Sequence, residues 1–365
     1  MGLLRVVLAL FVVIEHANTF HFFNFPGAVL AVKVFFIISG FYMTLILDKK
    51  YVGKGSYSLF ISNRLLRLYP IYWVVLGLTV LISFSSYFLY NDWLRLTAYV
   101  VYDDILTIKA LLFLGFTNIF LIGQDLYLFL GLDVHSGNLF FTSNFSQTDP
   151  RFYSFLFVPQ AWTLSLELMF YIIAPFIVRK KLKIVILLIF ISLLIRGFIY
   201  FYLNMPYDPW TFRFFPNELV FFLLGVISYR IYEYINRITV NKKLIIALIS
   251  IFYFLMIFNR YLPETGVLEY IVPIIFYTIA CLSIPFIFQM TRNNSKDNRI
   301  GELSYPIYIT HLLIIYIVRI LFDYYDVQLD MGPTIIIITI IVSYVLLKLV
   351  ADPIEKLRQS RVKIS

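Results

Sequence analysis

The sequence predicts an all-α polytopic membrane protein of about ten transmembrane helices, both termini cytoplasmic, with one external re-entrant or interfacial segment. Three observations lead there. Of the 365 residues 61% are hydrophobic and only 14% charged, and mean hydropathy is +0.85, a balance that soluble domains do not have. Ten apolar stretches are each long enough to cross a bilayer. The segments between them alternate sharply in basic charge. The net charge of +9 therefore reads as lysines and arginines gathered in cytoplasmic loops around a lipid-bilayer protein, not as a nucleic-acid surface. A single cysteine, Cys281, lies inside an apolar stretch, which excludes disulfides and thiolate metal sites; no metal is expected.

Taken in order, the first stretch, 3–20, follows "MGLLR" and is succeeded by "HANTFHFF", which has no small-residue cleavage site. It is expected as a retained span. Stretches 28–47 and 68–90 flank Lys49, Lys50, Lys54, Arg64 and Arg67, which mark the inner side. After 161–178 comes "RKKLK" at 179–183, again inside, and then 184–203. The remaining spans are 214–232, 244–260, 267–290, 303–322 and 333–351. Arg230, Arg237, Lys242 and Lys243 form the next inner loop, followed by Arg292, Lys296 and Arg299. Lys356, Arg358, Arg361 and Lys363 lie in the terminal segment, while acids such as Asp323, Asp326 and Asp330 lie opposite. One further apolar run, 105–132, would reverse every later loop if it crossed once, so the external segment 91–160 is expected to hold a re-entrant or interfacial element. The result is one transmembrane domain, 1–351, with a short basic cytoplasmic tail, 352–365.

Ionisable side chains are costly in lipid, by several kcal/mol each near the midplane, yet Glu15, His16, Lys33, Glu167, Arg196, Glu218 and His311 all sit in or near spans. Each could be a structural ion pair or a snorkelling group. Arg5 and His16 are eleven residues apart, three turns plus roughly 20°, hence on one helical face and about 16 Å apart along the axis. Counted from the span ends, His16 lies ~6 Å and Glu167 ~9 Å below the outer surface, and His311 ~12 Å in from the inner one. Such a layer suits a proton relay, an ion path or an acid–base site. Arg64 and Arg67 share one face just before Pro70. They read either as ordinary positive-inside residues or as a fork for the phosphate oxygens of an anionic cytoplasmic ligand. In "AWTLSLELMFY" the aromatics Trp162 and Tyr171 suit packing, but Glu167 needs a partner, and by depth His16 is the candidate.

These pieces occur in a known order. Arg5 with His16, "KVFFIISGF" (33–41), "NRLLRLYPIYW" (63–73), "WTLSLELMFY" (162–171) and "LSYPIYITHLLI" (303–314) together resemble the acyltransferase-3 family over nearly the whole chain. These are integral-membrane enzymes that commonly O-acetylate surface polysaccharides. The resemblance implies transfer of an acyl group, usually acetyl, from cytoplasmic acetyl-CoA to a hydroxyl of a glycan such as O-antigen, capsule or exopolysaccharide, or of its lipid-linked saccharide precursor. It implies an inner-membrane, multi-pass location. It makes His16 the catalytic residue and Arg64 and Arg67 part of the acyl-CoA site, with Arg5 a further basic group for CoA near the cytoplasmic mouth. Lys33, Trp162 and His311 are additional candidates within the motifs. Lys33 stands where many members carry an acidic or neutral residue, and its charge could alter acceptor choice or pair with Glu15 or Glu167. The 365 residues include no hydrolase-like domain of the kind fused to some members, so the chain would complete the transfer itself or hand the acyl group to a separate partner.

Chemically, a sugar hydroxyl attacks a thioester only if its proton is taken, and neutral imidazole can do that near pH 7. Glu167 could orient the ring, as a triad's third member does. His16 as base and His16 as acylated relay both remain open. A transporter or flippase for a lipid-linked sugar is the alternative class, although the two halves lack the internal symmetry common in transporters. An acyltransferase of a non-glycan acceptor is another.

Overall fold

The computed structural model describes residues 1–18, 24–262 and 266–363. Its long helices coincide with the ten expected stretches: α1 (Gly2–Ala17), α2 (Ala28–Lys49), α3 (Ser56–Tyr90), α6 (Trp162–Ile177), α7 (Leu182–Gly197), α8 (Phe215–Ile235), α9 (Lys242–Ile257), α10 (Leu268–Thr291), α12 (Ser304–Tyr324) and α13 (Met331–Leu346). Short helices α4 (Thr97–Val101), α5 (Ile108–Phe120), α11 (Ser295–Gly301) and α14 (Asp352–Lys363) complete the set. A two-stranded hairpin, β1 (Leu130–Leu132) against β2 (Leu139–Phe141), lies in the 91–160 segment. Among the described residues seven helical segments are long and apolar enough to span a membrane by themselves. α1 and α9, at 16 residues each, are short for it, and α8 carries Glu218, Arg230 and Glu233. Residues 19 and 20, the expected end of the first span, lie outside the described residues.

Small residues set the tightest contact. A Cβ on Gly40 would lie 2.0 Å from the Phe222 carbonyl oxygen, and one on Gly225 would lie 2.1 Å from that of Ile37. Only glycine on both helices lets α2 and α8 cross backbone to backbone, the usual device where apolar burial gives helices no preference over lipid. At the start of α1, the four amide groups that have no intrahelical acceptor need partners. Asp297 of α11 supplies two of them, accepting from the Gly2 and Leu3 amides at 2.7 and 2.9 Å, and pairs with the terminal ammonium at 2.8 Å. At the other end Arg319 of α12 donates to the His16 and Ala17 carbonyls. α1 is thus fixed at both ends.

Two expectations change. α3 does not begin near residue 68 but at Ser56 and runs 35 residues, ~52 Å, so Arg64 and Arg67, which share one helical face, belong to the same continuous helix as the expected third span. The segment 352–365, expected as a tail, is helical through Lys363 and folds back on α3: Arg358 Nε donates to the Asn63 carbonyl at 2.9 Å and Arg361 to Ser62 Oγ at 2.8 Å. The 105–132 run is no single crossing helix. α5 stops at Phe120, the chain turns through Gly123 at φ +84°, and a short 3-10 turn leads to the hairpin. The last carbonyls of α5 accept from Tyr69, Tyr72 and Trp73, midway along α3. That is how a helix end can be satisfied at depth without water.

Candidate functional site

α1 and α12 run side by side in the same direction, and they meet at two levels. At one, Arg5 donates to Ser304 Oγ at 2.7 Å. At the other, the rings of His16 and His311 lie 5.0 Å apart, inclined at 54°. The common face of Arg5 and His16 is therefore the face turned to α12.

Each imidazole bonds a backbone carbonyl through Nδ1: His16 to Val12 at 2.8 Å, His311 to Tyr308 at 2.6 Å. A carbonyl oxygen only accepts, so in the neutral ring Nδ1 carries the hydrogen and Nε2 keeps its lone pair. His16 is exposed, whereas His311 is fully buried and its Nε2 has no hydrogen-bond partner among the described residues.

A cavity of about 320 Å³ opens at the Arg5 level between α1, α2, α3, α6, α12 and α14. Its cations are Arg5, Arg64 and Arg67, joined by Lys50 and Arg358. Arg64 is only 5% exposed and its Nε lacks a hydrogen-bond partner among the described residues. The far wall of the cavity includes Phe35, Thr163 and Tyr308. Tyr308 donates to the Gln160 carbonyl at 3.0 Å and accepts from Thr163 Oγ at 2.9 Å, and its ring centroid is 5.9 Å from that of His311. One tyrosine thus stands between the arginine cavity and the histidine pair. A larger hollow, about 660 Å³, lies in the 91–160 segment around Arg95 and Arg151 and shares no lining residue with this cavity.

Glu167 departs from the expected pairing with His16. It lines the arginine cavity, where its carboxylate accepts from Tyr171 at 2.8 Å near Ser39, Arg5 and Arg67. The helical period explains it: α6 turns Thr163 and Glu167, four residues apart, along one stripe facing the cavity. Lys33 pairs with neither Glu15 nor Glu167. Its ammonium sits 5.3 Å from the Phe221 ring, with the ion pair of Arg196 and Glu218 (2.8 Å) nearby, while Glu15 pairs with Arg260. Trp162 lies under Arg213, whose guanidinium is 4.5 Å from the ring centroid and is held by both oxygens of Asp208 at 3.0 and 2.9 Å.

Sequence reasoning passed over Tyr308, Arg213 and Arg358. Tyr308 is inside a quoted motif, three residues before His311, and that spacing on a helix was the available signal. Arg213 follows an aromatic loop and Arg358 an apparently soluble tail, and neither position distinguishes them from ordinary flanking charges. No group of three or more His, Cys, Asp or Glu side chains able to hold a metal ion occurs among the described residues.

Comparison with known proteins gives one match. A family model described as an acyltransferase domain, Acyl_transf_3, covers residues 1–348. No curated protein and no solved structure matches the chain.

Proposed function

This chain belongs to the acyltransferase-3 family, and from that premise we propose that it moves an acetyl group from cytoplasmic acetyl-CoA to a hydroxyl of a cell-surface polysaccharide or its lipid-linked precursor. The observation that carries the reading is the two-sided site: a cavity rich in arginine on one side of Tyr308, and an exposed imidazole backed by a second on the other. Phosphates are the ligand that several converging guanidinium groups serve best. A hydroxyl acceptor needs a neutral base, and His16 Nε2 has its lone pair free for that.

In the proposed reaction the CoA phosphates rest on Arg64, Arg67 and Arg5, and the thioester extends past Thr163 and Tyr308 toward His16. The acceptor hydroxyl oxygen attacks the thioester carbonyl carbon while His16 Nε2 takes its proton. Collapse of the tetrahedral intermediate breaks the C–S bond, forms the ester and releases the CoA thiolate, which the imidazolium proton neutralises. Hydrogen bonding of Nδ1 to the Val12 carbonyl holds the ring in the tautomer that this requires. Glu167 then acts on the donor side, where it fixes Tyr171 beside the arginines, and not as the orienting acid of His16. The same reading takes the ten long helices as ten crossings of the inner membrane, with both termini in the cytoplasm.

The test is reconstitution of the purified protein with acetyl-CoA and a glycan acceptor. Acceptor-dependent release of free CoA, together with a labelled acetyl ester on the glycan, is expected. Movement of the saccharide across the bilayer without acetyl-CoA consumption would instead mark a transporter and overturn the proposal.

A further inference from the structure

The arginine cavity has two tiers. Arg5 and Arg67, the latter exposed, lie in the one nearer Tyr308, the deeper along the helices, with Tyr42 and Glu167. The outer one, a turn earlier on α3, holds Arg64 and a residue from the opposite end of the chain, Arg358. Arg358 is 6% exposed, its Nε is fixed on the Asn63 carbonyl at 2.9 Å, and Nη1 contacts Glu355. It stands within electrostatic reach of both Arg64 and Arg67. Three guanidinium groups this close repel one another, and Glu355 is the carboxylate bonded directly to Arg358. Arg64 Nε, meanwhile, is buried without a hydrogen-bond partner among the described residues. Arg64 and Arg358 buried side by side, with exposed Arg67 beside them and one donor left over, make a site shaped for an anion.

We propose that α14 is a working part of the donor site, and that Arg358 with Arg64 binds the phosphate of the donor most remote from its thioester. In CoA this is the ribose 3′-phosphate. The inference rests on the donor reading above, since the thioester must point inward to Tyr308 and His16. The pyrophosphate, nearer the thioester along the molecule, then falls to the deeper tier, and the 3′-phosphate falls to the outer one. Arg358 lies beyond residue 348, where the family match ends, so this contact is contributed by a part of the chain that the match does not reach.

Binding of CoA and of 3′-dephospho-CoA to the full-length protein in nanodiscs separates the possibilities. Wild type is expected to prefer CoA by about tenfold or more, the scale of a charge-assisted phosphate contact. Arg358→Ala should lose that preference while its affinity for 3′-dephospho-CoA stays within about twofold. Arg361→Ala is the control for docking of α14, because it removes the bond to Ser62 Oγ without touching the cavity lining, and it should keep the preference. Equal discrimination by Arg358→Ala and wild type overturns the inference. So does an equal loss of preference in Arg361→Ala, which would assign the effect to helix docking. A wild type that binds both ligands alike removes the 3′-phosphate assignment and leaves the donor reading standing. A wild type that binds neither removes both.

Discussion

Arg64 shows how location and chemistry can point a reading of one side chain in different directions. By its sequence neighbours Arg64 reads as a positive-inside cation and by its residue type as half of a phosphate fork; it is buried, and its Nε has no partner among the described residues, which suits the second reading. Arg64→Ala and Arg67→Ala should each raise the apparent KM for acyl-CoA by far more than that for acceptor. The loss of one charge-assisted contact is about 1.5–3 kcal/mol. Steady-state kinetics with each substrate varied in turn checks it, and unchanged donor KM with raised acceptor KM would reverse the assignment. His16→Ala should leave a folded protein that still binds acyl-CoA, because His16 is exposed and Arg319 holds the end of α1 through backbone carbonyls. General-base catalysis is typically worth about 10²–10⁴-fold, so turnover should fall below about a tenth of wild type. A well-folded variant above that level would sink the base assignment.

At the scale of elements, the long helices and their order were legible because apolar length is the strongest signal a membrane chain carries. The faces were less so. Depth counting put His16 and His311 in one layer, and their rings are in contact. It also put Glu167 there, and that failed because depth says nothing about which way a helix turns a side chain: Glu167 shares its stripe with Thr163 and looks into the arginine cavity. The start of α3 and the helical nature of α14 were hidden for a different reason. Both segments mix charges with apolar residues and are held by tertiary contacts such as Arg358 to Asn63, which no local pattern announces. The glycine contact of α2 and α8 is another. An alanine at Gly225 would place Cβ 2.1 Å from the Ile37 carbonyl oxygen and 2.6 Å from the Phe41 amide nitrogen, both backbone atoms that cannot rotate away. Gly225→Ala should therefore destabilise the bundle by about 1–3 kcal/mol. Thermal unfolding in detergent reads this directly, with Gly77→Ala, where no atom lies near, as the neutral reference.

For the whole molecule the decisive question is which side each half of the site faces, and the 91–160 segment controls it. α5 ends against the middle of α3, where Tyr69, Tyr72 and Trp73 donate to carbonyls 118–120, and the chain then turns back at Gly123, whose amide donates to Ser165 Oγ at 3.2 Å. An element that returns to the face from which it entered leaves the orientation of every later helix unchanged. The parallel meeting of α1 and α12 agrees with this, because both would start from the inner face in a ten-span arrangement. It also joins the arginine tier to the side where "RKKLK" and the other basic loops lie, and that is the side from which a cytoplasmic donor would enter. Cysteine labelling in a Cys281→Ser background tests the arrangement. Lys181→Cys should be protected from an impermeant thiol reagent in whole cells, and Asp326→Cys should react. The opposite pattern would mean that the segment crosses once, which would invert all helices after it, break the parallel pairing of α1 with α12 and separate the arginines from the cytoplasmic donor.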